Sequence, residues 1–414
     1  MSWQPSERPA WVRHAIAGEG GPELAFAADP FDAEQLVSEA AFRAGSDDVG
    51  GDSFREPLAV LVQSIEDEAN LHIVGRWRVR EVILRFLENR IRITEAVRDD
   101  PVIDQHAITA PIVVTGSPRA GTSIMHELLA QNPAHRAPMA WEYWSPAPPP
   151  EPSTCDDDPR IPLANRDVRL TAALAPAFDG MHEQGARIPR EDGSAMGVDL
   201  RSDLLGAHYP VASYSKYLAA DDMRTAYAWH RRVLLLLQHH FEPRTWVVKW
   251  PGHVNHLPVL LETYPDARVV VCHRDPLAML SSVTSLLATL RWAHCTSVDF
   301  QALAREQADV FAHQCDRLLA ARRGGALDPG RVFDVRFDEF VADQAGTVAS
   351  VYEHFGMVLS PDVDRQVREH LAAKPRGRHG GHDHSFEDLG LDPAEQRARF
   401  AEYQHYFGIQ SESE

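Results

Sequence analysis

The run Ile112-Val113-Val114-Thr115-Gly116-Ser117-Pro118-Arg119-Ala120-Gly121-Thr122-Ser123 decides how this 414-residue chain folds. Its first four residues form a short apolar run that Gly116 ends. A glycine-bearing turn then leads into a helix with Ile124, Met125, Leu128 and Leu129 on one side, and Asn132-Pro133 closes it. Strand, turn and helix of this kind aim backbone N–H groups and the positive end of the helix dipole at an anion. The pattern is close to G-x-x-x-x-G-K-[ST], but Thr122 stands where the lysine of nucleoside triphosphatases reaches the β- and γ-phosphates. Arg119 offers a guanidinium fork in its place, suited to a tetrahedral oxyanion. The plainer alternative is an ordinary strand-to-helix turn.

Outward from this run, short apolar stretches recur at Trp246-Val247-Val248, Val269-Val270-Val271-Cys272 and Val332-Phe333-Asp334-Val335, separated by helical segments. Non-alternating runs joined by helices predict an α/β fold, with a P-loop-like parallel sheet flanked by helices on both faces. Upstream, Leu58, Leu61, Val62 and Ile65 share one helical face after Pro57. A second helix is expected from about residue 75 to 98, with its many arginines turned outward, before Asp99-Asp100-Pro101 stops it. We therefore expect a helical N-terminal extension over residues 1–105, its first 30 or so residues a loose arm. An α/β domain over 106–414 is expected to carry a helical insertion at about 160–240. The Pro-rich tract from Pro146 to Pro159 reads as extended and solvated.

A second anion site is expected at Val271-Cys272-His273-Arg274-Asp275-Pro276, where a strand ends and Pro276 can open a helix; Ser282 lies eight residues beyond Arg274, near the second helical turn. Two anion-binding turns at the carboxyl ends of parallel strands suit a nucleotide phosphorylated at both ends.

Taken together, Pro118-Arg119-Ala120-Gly121-Thr122-Ser123, Lys249-Trp250-Pro251-Gly252-His253 and Arg274-Asp275-Pro276 with Ser282 resemble the sulfotransferases that use 3′-phosphoadenosine-5′-phosphosulfate (PAPS). The resemblance is to the bacterial branch with an arginine in the loop and a helical N-terminal extension, and it spans residues 55–405 or so. It implies that Arg119, Ala120, Gly121, Thr122 and Ser123 form the loop that holds the 5′-phosphosulfate, with Arg274 and Ser282 on the 3′-phosphate. Ala120 stands where the family usually has serine, and Ser123 where it usually has threonine. Arg378-His379-Gly380 resembles the late Arg-Lys-Gly loop that closes over the 3′-phosphate, with His379 in place of the lysine. A zinc site at His379, His382 and His384, or a solvated loop, are the other readings of that segment.

Sulfuryl transfer needs a proton acceptor for the attacking hydroxyl and a cation for the departing oxygen; it does not oblige a metal, and none is expected here. Glu142, among Trp141, Tyr143 and Trp144, is one candidate base: its aromatic neighbours could raise its pKa, and in related sulfotransferases a glutamate after this helix is the base. A surface carboxylate is the bland alternative. His253, four residues after Lys249, is the rival base, with a structural histidine as its alternative. Lys249, ending a buried strand, is expected to stabilise the leaving group, or else to pair with a neighbouring carboxylate.

Composition bounds the rest. Lys and Arg number 41 against 60 Asp and Glu, a formal charge of −19, which disfavours nucleic acid and anionic membrane as partners. The four cysteines lack CxxC spacing, no apolar run is long enough to span a bilayer, and the N-terminus lacks the apolar core of a signal peptide. A cytoplasmic enzyme is expected, taking a small-molecule or lipid hydroxyl as acceptor; its pocket is expected to draw on the aromatic residues of 139–240. A nucleotide kinase or triphosphatase, or a nucleotide-binding protein without activity, are the competing functions. A serine-hydrolase reading has no G-x-S-x-G elbow to stand on.

Overall fold

A computed structural model describes residues 3–181, 183–374 and 384–412. Five strands, β1 (Ile112–Gly116), β2 (His135–Arg136), β3 (Thr245–Lys249), β4 (Arg268–His273) and β5 (Val332–Arg336), form one sheet in the order β2-β3-β1-β4-β5. Every pairing is parallel. The four apolar runs are the four longer strands. The two-residue edge strand β2 carries no apolar run, so the sequence offers no sign of it.

Successive side chains of a strand point to opposite faces, and the sheet separates two cores accordingly. Val113 of β1 and Trp246 and Val248 of β3 join one core, whereas Ile112, Val114 and Val247 join the other. The first core is shared with the helices Arg55–Glu68 and Ile73–Asp99 and with the insertion helix Arg224–Gln238. The N-terminal helices and the insertion therefore stand on the same face of the sheet. The second core is closed by Pro276–Trp292, Phe300–Arg323 and Pro393–Phe407.

Three local expectations are corrected. The arginines of Ile73–Asp99 do not all face water: Arg90 is 1% exposed, its guanidinium 2.8 Å from Asp199 and within 4.2 Å of the Trp229 ring centre. Arg78 is also buried, on Asp167 at 2.7 Å. These arginines bind the N-terminal helix to the insertion by fixing its carboxylates, a use that helical periodicity cannot reveal. The start of the proline tract is not solvated: Pro146, Ala147 and Pro150 are buried, and Arg160 reaches back to donate to the carbonyls of Ser145 and Pro148 at 2.9 and 2.7 Å. Nor is the N-terminal arm loose. Short helical turns occupy Ala10–His14 and Pro22–Ala28, Arg8 lies 3.5 Å over the Trp292 ring, and Trp3 stacks on Phe300.

Candidate active site

The loop between β1 and the helix Thr122–Leu129 is shaped by two glycines and one strained arginine. Gly116 has φ +121°, and a Cβ there would lie 2.1 Å from the Cys272 carbonyl oxygen, so no side chain fits where β1 and β4 approach. Gly121 (φ +89°) opens the helix with no side-chain cap, which leaves its first N–H groups for a ligand. Arg119 itself has φ +69°, unusual for a residue with a Cβ. Its guanidinium donates through Nε to Ser282 Oγ at 3.2 Å and through Nη1 to the Met181 carbonyl at 3.2 Å.

Because Gly116 stands in register with Cys272, the two expected anion turns lie side by side. Arg274 Nη1 donates to the Arg119 carbonyl at 3.1 Å, so Arg119, Ser282 and Arg274 form one hydrogen-bonded group rather than two separate pockets. Burial, and then the Arg274 charge, lower the Arg119 pKa from its ordinary value. Two guanidiniums held this close are a place for an anion. Arg274 stacks over Phe337 at 4.1 Å, and its Nε and Nη2 donate to both carboxylate oxygens of Glu412, at 2.7 and 2.8 Å.

Lys249, at the end of β3, is 3% exposed. Its ammonium donates to Ser123 Oγ at 3.0 Å and pairs with Glu191. The carboxylate alternative for Lys249 is thus seen beside the loop, and both contacts sit where β3 meets the phosphate turn.

A cavity of about 810 Å³ opens beside this group, with Arg119, Ser123, Lys249, Glu191 and Asp203 among its polar lining and Phe178, Met181, Leu218, Val283, Leu286 and Leu290 among its apolar lining. The volume is that of a ligand pocket. Asp203 lines the cavity, and its side chain is exposed to that space while protein atoms crowd around it. Burial, then the Glu191 charge, lift its pKa to about 7, against a hydrogen bond from the Trp250 indole.

Neither expected base faces this space. Glu142 is buried away from the cavity wall, pairing with Arg136 at 2.5 Å and accepting the Met139 N–H at 2.8 Å to close the start of the helix Ala140–Trp144. Its aromatic neighbours desolvate it, but the Arg136 cation goes with it into the interior. His253 is fully buried, its Nε2 2.9 Å from Asp192 and its Nδ1 2.8 Å from the Tyr227 hydroxyl. Burial lowers its pKa, with Asp192 opposing. His230 Nε2 approaches the same Asp192 oxygen, Oδ2, at 3.5 Å, and Tyr143 donates to the other, Oδ1, at 2.5 Å. Burial alone would raise the Asp192 pKa; the two imidazoles outweigh it and bring it below the ordinary value. The N–H of Asp192 also donates to the Lys249 carbonyl at 3.0 Å. His253 therefore sits behind the cavity, in the network that fixes the residue next to Glu191.

Glu191 and Asp203 are the residues the sequence reading missed. Both lie in the insertion, in Arg190-Glu191-Asp192-Gly193 and Arg201-Ser202-Asp203, outside any motif of fixed spacing. Their one signal is clustered charge within an otherwise largely helical segment. Arg378, His379 and His382 lie outside the described residues. The chain on either side is placed: Lys374 lines the cavity and pairs with Glu127 at 2.9 Å, and His384 Nδ1 is 2.9 Å from Ser281 Oγ.

A family model described as the sulfotransferase family matches residues 111–361, more than half of the chain and the whole of this site except Glu412 and the 374–384 segment. The chain belongs to the sulfotransferase family. Solved structures agree. This sulfotransferase superposes on STF1 from Mycobacterium tuberculosis H37Rv with a TM-score of 0.80 and 30% identity, over 90% of this chain and 99% of that one. STF9 from Mycobacterium avium gives 0.82 and 26%, over 93% and 100%. Among curated proteins, the omega-hydroxy-beta-dihydromenaquinone-9 sulfotransferase Stf3 of Mycobacterium bovis is 25% identical over 299 residues, 68% of this chain and 69% of that protein. No helix among the described residues is long and apolar enough to cross a membrane.

Proposed function

We propose that this sulfotransferase moves the sulfuryl group of PAPS to a hydroxyl of a lipid or other apolar small molecule. The observation that carries the reading is the placement of the Arg119–Ser282–Arg274 group and of the Lys249–Ser123 contact at the carboxyl ends of neighbouring strands and beside a largely apolar cavity. The uncapped helix start and two close guanidiniums fit a donor anionic at both ends. In this reading Arg119 and the loop amides hold the phosphosulfate, and Arg274 and Ser282 hold the 3′-phosphate. The donor supplies the sulfuryl group, whose bond to the acceptor oxygen forms as its bond to the nucleotide breaks.

Lys249 stands where it can exchange Glu191 for the departing oxygen and stabilise the charge that develops there. Asp203 takes the acceptor proton. Of these two cavity-lining carboxylates, Glu191 is engaged by the Lys249 ammonium, and Asp203, poised near neutrality beside Glu191, suits a general base. The apolar wall supports a hydrophobic alcohol as acceptor, and a relative named for a hydroxylated menaquinone supports a lipid one. Four free thiols, three of them buried, fit a reducing, cytoplasmic setting.

Calorimetric titration with 3′,5′-phosphoadenosine and with ATP, each with and without magnesium, tests the donor assignment. Tight, magnesium-independent binding of the bisphosphate is expected. Magnesium-dependent ATP turnover would replace this reading by a kinase or triphosphatase. Binding without transfer of label from ³⁵S-PAPS to any of a panel of lipid alcohols and phenols would leave a nucleotide-binding protein.

A further inference from the structure

The carboxylate on Arg274 comes from the far end of the chain. The helix Pro393–Phe407 ends at Gly408 in the left-handed conformation, and Ile409 N–H closes back on the Gln404 carbonyl at 2.9 Å. From there the chain runs to Glu412, which is held at two points. Its carboxylate takes both Nε and Nη2 of Arg274, and its own N–H donates to Asp275 Oδ2 at 2.8 Å. Asp275 is fixed in turn by Arg397, at 2.9 Å through Nη2. The Arg274 side chain is 17% exposed and that of Glu412 is 36% exposed, so the pair sits at the protein surface, with a way out for the carboxylate.

A planar carboxylate and a phosphate make the same demand on a guanidinium, two parallel N–H donors. Arg274 cannot give one pair of donors to both at once. We propose that Glu412 stands in for the 3′-phosphate in the nucleotide-free enzyme, so that the tail and the nucleotide compete for Arg274. This rests on reading Arg274 as the 3′-phosphate ligand. Binding then displaces the Glu412 side chain, and product release is helped by its return. The tail keeps a cation that would otherwise face the Arg119 charge alone neutralised and oriented between turnovers.

Titration of the full-length protein with 3′,5′-phosphoadenosine tests this, in wild type, Glu412→Gln, Arg274→Ala and a chain shortened after Ile409. A partly exposed ion pair supports an effect of about fivefold. Glu412→Gln and the shortened chain are expected to bind about fivefold more tightly, with a correspondingly slower dissociation rate by surface plasmon resonance. Weaker or unchanged binding in both overturns the competition, weaker binding making Glu412 a permanent support of Arg274. The two readings separate cleanly. If wild type binds and Arg274→Ala does not, the 3′-phosphate assignment stands whatever Glu412→Gln does. If wild type does not bind the bisphosphate, the assignment falls and the competition with it.

Discussion

On the proposed reading, the donor side and the acceptor side of the cavity are built in different ways. On the donor side, each functional residue sits within a few positions of the end of a buried strand: Arg119 after β1, Lys249 on β3, Arg274 after β4. On the acceptor side, Glu191 and Asp203 are held by irregular chain between short helices, positioned by contacts to distant parts of the molecule. The first arrangement is dictated by sheet register and tolerates little variation. The second can be re-shaped without disturbing the sheet, which suits a fold that keeps one donor and changes its acceptor.

Lys249→Ala is the hardest test of the rigid side. Losing the cation at the leaving oxygen is expected to lower kcat by about 10²–10³, with a much smaller change in bisphosphate affinity. Equal losses in kcat and in affinity would make Lys249 a binding residue alone. On the adaptable side, Asp203→Asn is expected to lower kcat by about 10². In wild type the rate should rise with pH and level off above about 7, as the carboxyl loses its proton, and the variant should lose that limb. Stability carries the opposite sign. The folded pKa lies above the unfolded one, so the folded state holds the extra proton between about pH 4 and 7, and stability falls as pH rises through that window. The difference in melting temperature between wild type and Asp203→Asn, followed across that window, measures it.

Glu142→Gln sharpens the comparison from outside the cavity. It leaves the largely buried Arg136 side chain, 10% exposed, without its anion, so a loss of roughly 2 kcal/mol in denaturant unfolding is expected, with turnover per folded molecule within about twofold of wild type. A large loss of turnover with unchanged stability would return Glu142 to the reaction. His253→Ala is expected to act mainly through the Asp192 network, lowering the melting temperature and, through Glu191, kcat by a few-fold. Its pH profile should keep the limb that Asp203→Asn removes.

This asymmetry also explains what could be read in advance. The four long strands, and the places of the turn after β1, of Lys249 and of Arg274 at strand ends, were legible because buried parallel strands leave uninterrupted apolar runs and the turns after them have fixed spacing. Glu142 and His253 were misplaced because a carboxylate among aromatics and an imidazole near a lysine look the same whether they face a cavity or a buried partner. Only the partners, Arg136 in one case and Asp192 with Tyr227 in the other, decide it. Those partners lie 6 to 61 positions away in sequence. Asp203 had only clustered charge as a signal, because its unusual environment is created by enclosing protein and by Glu191, with Trp250 donating from another segment.

The N-terminal arm has a consequence for anyone handling the protein. Val12 and Ala15 pack into the same small cluster as Phe178 and Leu290, which are also cavity wall, while Trp3 and Arg8 grip Phe300 and Trp292 beyond them. Residues 3–15 thus buttress the cavity wall from outside. A purification tag joined there, or trimming of that stretch for crystallisation, is expected to reshape the hydrophobic wall while leaving the Arg119–Ser282–Arg274 group untouched, an effect easily mistaken for a change of substrate preference.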